Sequence, residues 1–118
     1  MILVNLSGKE FEIRFDYNSI CAIEEKTGKA AQTLFNTEIS NFCTIRAFLW
    51  GGLRHANKEM SLEKAGTLIQ NWIKDGKEIE DLAFEIGRAL AESEVFGKSK
   101  DDSEDETETK ETEGEQSP

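Results

Sequence analysis

Cysteine is scarce in this 118-residue chain: Cys21 and Cys43 stand alone, with no paired-cysteine motif. That argues against a disulfide framework and against a cysteine-based zinc site, and a reducing cytoplasm suits two lone thiols. Histidine occurs once, as His55, and proline once, as Pro118. No apolar run approaches the ~18 residues of a membrane span. The N-terminus also lacks the charged start and long apolar stretch of a signal peptide. Positive charge is short as well, with 14 Lys and Arg against 24 Asp and Glu and a net charge of -10. Such a balance disfavours nucleic-acid phosphates and anionic membranes as partners, while a mimic of nucleic acid stays open.

The most uneven absence is that of apolar side chains beyond Phe96. From Lys98 to Pro118 the chain has nine carboxylates, three lysines and no aliphatic, aromatic or sulfur-bearing residue, a net charge of -6 out of the total of -10. Such a segment cannot bury enough surface to offset the entropy of ordering. The composition therefore describes one folded domain over residues 1–96 and a disordered acidic tail over 97–118.

Met1 to Leu6 and Glu10 to Phe15 flank Ser7-Gly8-Lys9, and Phe11, Ile13 and Phe15 alternate with Glu10, Glu12 and Arg14. A period of two on either side of a Gly-containing connector predicts a β-hairpin, its loop read as the three residues Ser7 to Lys9. A lone hairpin is marginal, so its apolar face has to rest on helices. Asp16 and Asn18 are helix-start residues, Gly28 is a stop, and a short helix continues through Ala31, Leu34 and Phe35 to about Asn36. Ser40 is a candidate cap for a helix from Asn41 to about Ala56. Phe42, Ile45, Phe48, Leu49, Gly52, Leu53 and Ala56 share one stripe of it, with Cys43, Ala47 and Trp50 roughly opposite. A helix apolar on both sides is either central in a small bundle or covered by another subunit. Gly51 and Gly52 in its interior cost about 1 kcal/mol each relative to Ala, which implies a close backbone approach or a kink.

Ser61 caps a further helix from Leu62 to about Asp75, with Leu62, Ala65, Leu68, Ile69, Trp72 and Ile73 inward and Gly76 as its stop. The last helix runs from about Glu78 to Val95. Ile79, Leu82, Ala83, Ile86, Ala89, Leu90 and Ser93 form its core face, and Phe84, Arg88, Ala91 and Val95 a second stripe. The expected fold is α+β: an N-terminal β-hairpin packed on a small bundle of four to five helices.

No motif in the chain carries catalysis. Thr27-Gly28-Lys29-Ala30 looks like the end of a phosphate-binding loop, but Ile23 and Ala30 stand where that motif needs a Gly and a Ser or Thr. Glu24 and Glu25 read as a solvated helix face. Cys21 and Cys43 lie on or beside apolar faces with no base to make a thiolate. His55 ends a helix, where the dipole favours its cation, without a second ligand or base nearby. No catalytic, cofactor-binding or metal-binding residue is expected. The leftover stripes are a better lead. Phe48, Trp50, Phe84 and Val95 are candidate partner-contact residues, with Arg46 and Arg54 at a polar rim. Part of that surface can equally be covered by the hairpin.

Over roughly residues 10–96 the order of features resembles the tail assembly chaperones of long, non-contractile-tailed bacteriophages and gene transfer agents. Three stretches carry the likeness. Phe15-Asp16-Tyr17-Asn18-Ser19-Ile20-Cys21-Ala22-Ile23-Glu24-Glu25-Lys26-Thr27-Gly28-Lys29 is similar to the family's early helix ending in Leu-Glu-Glu-x-Thr-Gly. Ile45-Arg46-Ala47-Phe48-Leu49-Trp50-Gly51-Gly52-Leu53-Arg54-His55 looks like its Arg-Ala-Leu-Leu-Trp-Ala-Gly-Leu helix. Met60-Ser61-Leu62-Glu63-Lys64-Ala65-Gly66 is similar to Leu-Thr-Leu-Glu-Glu-Val-Gly, although Asn57-Lys58 stands where relatives often have Asp-Pro. These are packing and turn patterns rather than catalytic ones.

The resemblance implies a non-enzymatic protein of the bacterial host cytoplasm, absent from the mature virion. It would coat the long, helical, apolar tape measure protein, keep it soluble and recruit tail tube subunits, with self-association open. It also implies that the chain is the short product of a gene that can be frameshifted into a longer one. Two other classes remain: a structural head–tail or tail tube protein retained in the virion, and an acidic decoy that mimics nucleic acid and blocks a basic host protein.

Overall fold

The computed structural model describes residues 1–97; the acidic stretch from residue 98, expected as a disordered tail, lies outside them. The described residues form an antiparallel hairpin, β1 (Ile2–Leu6) and β2 (Lys9–Ile13), followed by five helices: α1 (Tyr17–Thr27), α2 (Ala31–Glu38), α3 (Phe42–Leu53), α4 (Leu62–Lys74) and α5 (Ile79–Ser93). The expected α+β architecture is the one observed.

In the hairpin, Leu6 pairs with Lys9 and Ile2 with Ile13. The loop is therefore two residues long, Ser7 and Gly8, and Lys9 belongs to β2 instead of the connector. Both loop residues have positive φ, 56° and 76°. That is the primed turn whose twist matches the strands it joins. Ile2, Val4 and Leu6 face inward with Ile13, while Leu3 and Asn5 face out. The strand ends at Ile13 because the chain then leaves β1 for α3: the Arg14 N–H donates to the Gly52 carbonyl at 2.9 Å. Phe15 is nonetheless buried.

Helix α1 starts on a capping box. The Asp16 carboxylate accepts from the Ser19 N–H at 2.8 Å, and the Asp16 N–H donates to the Ser19 hydroxyl. The Ser19 backbone N–H, its hydroxyl and, to a lesser extent, other neighbours hold the Asp16 carboxyl below the usual aspartate range, against a small opposing effect of burial. The helix ends at Gly28, left-handed at φ 73°, as its position after Thr27 predicts. Helix α2 has no side-chain cap of its own. Glu24, from the last turn of α1, accepts the Ala31 N–H at 2.7 Å and places a carboxylate at the α2 N-terminus. That residue is a cross-helix cap, not the solvated side chain its sequence position suggests.

Helix α3 is the axis of the fold and touches β2 and all four other helices. From Thr44 to Leu53 every residue except Arg46 is buried, so the two apolar sides of this helix mean that it is central. A Cβ on Gly51 would lie 2.5 Å from Ile23 Cδ1 of α1, and one on Gly52 2.7 Å from Ile13 Cγ2 of β2. The glycine pair thus marks two close approaches, one to α1 and one to the end of the hairpin. Asn41, not Ser40, holds the N-cap position. The helix stops at Leu53, where the Asn57 side-chain amide donates to the Leu53 carbonyl at 2.9 Å. Ser61 caps α4 by accepting from the Lys64 N–H at 3.0 Å. Helix α5 ends at Ser93, two residues short of Val95, because Glu94 turns left-handed at φ 59°.

Candidate partner-binding site

Helices α3 and α4 do not close on each other along their whole length. Between the first turns of α3, the second half of α4 and the start of α5 lies an open cavity of about 230 Å³. Phe42, Ile45, Ile69, Ile73 and Ile79 form its apolar walls, with Gly66 and Gln70 from α4 and Cys43 and Arg46 from α3. Its shape follows from local structure. Phe42 is the first residue of α3, so it projects past the packed part of the bundle and is 85% exposed. On α4, Ala65 and Trp72 are buried while Ile73, one position on, is 47% exposed. The turn after α4 then positions Ile79. The Trp72 indole N–H donates to the Glu78 carbonyl at 2.7 Å, and the Lys77 ammonium lies 4.6 Å from the Trp72 ring centroid.

Arg46 is the one charged side chain in this lining. Its stem runs past Gly66, where an added Cβ would sit 3.3 Å from Arg46 Cδ. Its Nε is buried with no hydrogen-bond partner. Beyond Arg46 a second hollow is lined by Lys26, Lys29, Glu38 and Thr44 among others, and Lys29 pairs with Glu38 at 3.3 Å. The combination is an apolar trough with a cation on one bank, which suits the ridge of an amphipathic helix.

The side chains singled out from sequence are scattered. Phe48 is a core residue, 0% exposed, with its ring edge-on to Phe15 and Phe35 at 6.2 and 5.8 Å between centroids. It cannot contact a partner in this fold. Trp50 is also buried, 6% exposed. The α3–α4 connection covers it, its indole N–H donating to the Met60 carbonyl at 3.2 Å, and the Arg54 and Lys26 cations lie 4.7 and 5.6 Å from its ring centroid. Arg54 therefore serves Trp50, about 12 Å along the helix axis from Arg46, and lines none of the groove. Val95 is half-buried beside Tyr17, Ile20 and Phe96 in another hollow. Phe84 is 66% exposed on the outer side of α5, with no place in the groove. Of the six, only Arg46 lines the groove.

The sequence pattern puts Phe42, Ile69, Ile73 and Ile79 all on core-facing stripes. The signal that they could do more was the width of the α4 stripe: Trp72 and Ile73 sit about 100° apart, too far for one neighbour to cover both.

His55 has a structural position. Its Nε2 lies 2.9 Å from the Glu12 carbonyl and its Nδ1 3.0 Å from the Arg14 guanidinium. With Nε2 donating to the carbonyl and Nδ1 accepting from Arg14, the ring ties the end of α3 to β2. Among the described residues no three His, Cys, Asp or Glu side chains gather in a cluster able to hold a metal ion, and no helix is long and apolar enough to cross a membrane. Comparison with protein-family models, with curated proteins and with solved structures finds no match to this chain.

Proposed function

We propose that this chain is a non-enzymatic binding protein, a tail assembly chaperone that holds an apolar helical segment of a phage or prophage tape measure protein and helps bring tail tube subunits to it. The observation that carries the reading is the open apolar groove between α3 and α4, with Phe42 and Ile73 left largely in solvent. Fully burying a side chain of that kind is worth about 1.5–3 kcal/mol. A helix that covers both also buries its own apolar ridge, so apolar surface is gained on both sides of the contact, and after the entropy cost of association only a small surplus remains. Such a balance gives reversible holding in preference to permanent assembly, which is what a chaperone needs. The likeness of residues 15–29, 45–55 and 60–66 to the tail chaperones supports the same reading. Nine carboxylates beyond residue 98 add self-repulsion that keeps a protein with an open apolar groove in solution.

Co-expression with a tape measure protein, followed by affinity capture on this chain, tests the proposal. Co-purification is expected, together with its loss in an Ile73→Asp variant, which changes a half-exposed residue and leaves the core intact. A tape measure protein that stays soluble alone and never co-purifies would refute the reading. Mass spectrometry of finished particles should find this chain absent.

A further inference from the structure

We infer that the helix seated in the α3–α4 groove carries a carboxylate beside its apolar ridge, and that Arg46 recognises it. This deepens the functional reading above and rests on it.

The two occupants this chain could itself supply do not fit. Residues 98–118 contain no apolar side chain other than the terminal Pro118, so they cannot fill an apolar trough. A second copy would have to offer a helix with a ridge of large apolar residues three, four and seven apart. Helices α1, α3 and α5 each expose one such residue, Tyr17, Phe42 and Phe84, and α2 exposes none. Only α4 has a row, Ile73 with the half-buried Leu62 and Ile69, and it is the groove's own wall; a two-fold contact through it would bring two Arg46 cations and no acid from either lining into one interface. The occupant is therefore another protein.

Its charge follows from the lining. Helix α3 contains no acidic residue, and Arg46 is the only charged side chain in the groove. The Arg46 Nε is a buried donor without an acceptor, and no carboxylate among the described residues pairs with its guanidinium. The far side offers no free carboxylate: Glu38, the acid of the adjoining hollow, is already paired with Lys29, and Lys26 adds a further cation there. An incoming Asp or Glu would meet a planar guanidinium able to give it two parallel hydrogen bonds. A Lys at the same place would meet only like charge. Arg46 thus sets which amphipathic helices are accepted, in a protein whose overall charge of -10 would otherwise repel acidic partners.

The test uses the full chain and synthetic helical peptides with leucines at i, i+4 and i+7. A single Glu, Gln or Lys is walked through the positions flanking that ridge, and affinity is read by fluorescence anisotropy. At the best position Glu is expected to bind about tenfold tighter than Gln, with Lys weaker still, and the preference to shrink as salt rises. Arg46→Gln should make Glu and Gln peptides equal, and Arg46→Glu should favour Lys. Thermal melting followed by circular dichroism verifies that each variant is folded; Arg46→Lys, which keeps the charge and most of the stem, should keep a reduced Glu preference. If Ile73→Asp weakens every peptide but Glu gives no advantage at any position or salt concentration, the carboxylate inference is overturned and the groove reading survives. If no peptide binds, or Ile73→Asp changes nothing, the groove reading falls and this inference with it.

Discussion

Gly51→Ala is the sharpest test of the packing. In a free helix the change would add stability, since Gly costs about 0.8–1 kcal/mol relative to Ala in a helix interior. Here the new methyl would lie 2.5 Å from Ile23 Cδ1 and 2.6 Å from Ile23 Cγ1, with the Ser19 carbonyl oxygen 3.7 Å away. Ile23 is fully buried, so its side chain has little room to turn and α1 has to move off α3. Overpacking of that kind costs typically about 1–3 kcal/mol. The two effects oppose each other and overpacking is the larger, which leaves a net loss of about 1 kcal/mol. For a domain of this size that is a drop of about 4–8 °C in Tm, measurable by circular dichroism or calorimetry. Ile23→Ala removes both contacting carbons and on its own should cost about 2–5 kcal/mol through the cavity it leaves. In the double variant the methyl added at position 51 would occupy part of that cavity, so the combined loss should fall short of the sum by about 1 kcal/mol or more. A Gly51→Ala protein with a raised Tm, or a strictly additive double variant, would refute the close-approach argument.

Three further outcomes are expected. Since the folded Asp16 carboxyl titrates below its ordinary value, its cap stabilises the protein fully above about pH 4 and is lost as pH falls through the lowered value; urea midpoints measured down the acid limb should fall more in the wild type than in Asp16→Asn. Glu24→Ala leaves the Ala31 N–H at the α2 N-terminus without its acceptor and should cost about 1 kcal/mol, with amide hydrogen exchange accelerated in α2 ahead of α3. Phe48→Ala should cost about 3–5 kcal/mol whereas Phe84→Ser should stay within about 0.5 kcal/mol of wild type, so loss of partner binding in the first would report unfolding; equal melting temperatures for the two would contradict the burial described above.

Local chemistry was legible without the fold. The hairpin, the Asp16 and Ser61 caps and the stops at Gly28 and Gly76 all depend on residues within a few positions of one another, and each forms where its residue types predict. The register of the hairpin loop was missed by one residue because Ser7 adopts a positive φ, which a serine takes only when the pairing around it requires it. The ends of α3 and α5 were overrun because periodicity continues past the point where the backbone turns. The cross-helix cap by Glu24 left no signal in sequence, since its value depends on α2 folding back beside α1.

The candidate site shows the same division. That apolar side chains exceed what one small core can cover, and that the acidic surplus sits beyond residue 97, were fixed by composition and order alone. Which apolar residues stay outside was not. Phe48 and Trp50 became core because α1, the hairpin and the α3–α4 connection converge on both sides of α3, and the surplus moved to Phe42 and Ile73 at the edges of that packing. A sequence counts apolar side chains and spaces them along a helix. Only the crossing of helices determines which face is covered, because burial depends on neighbours that are distant in the chain.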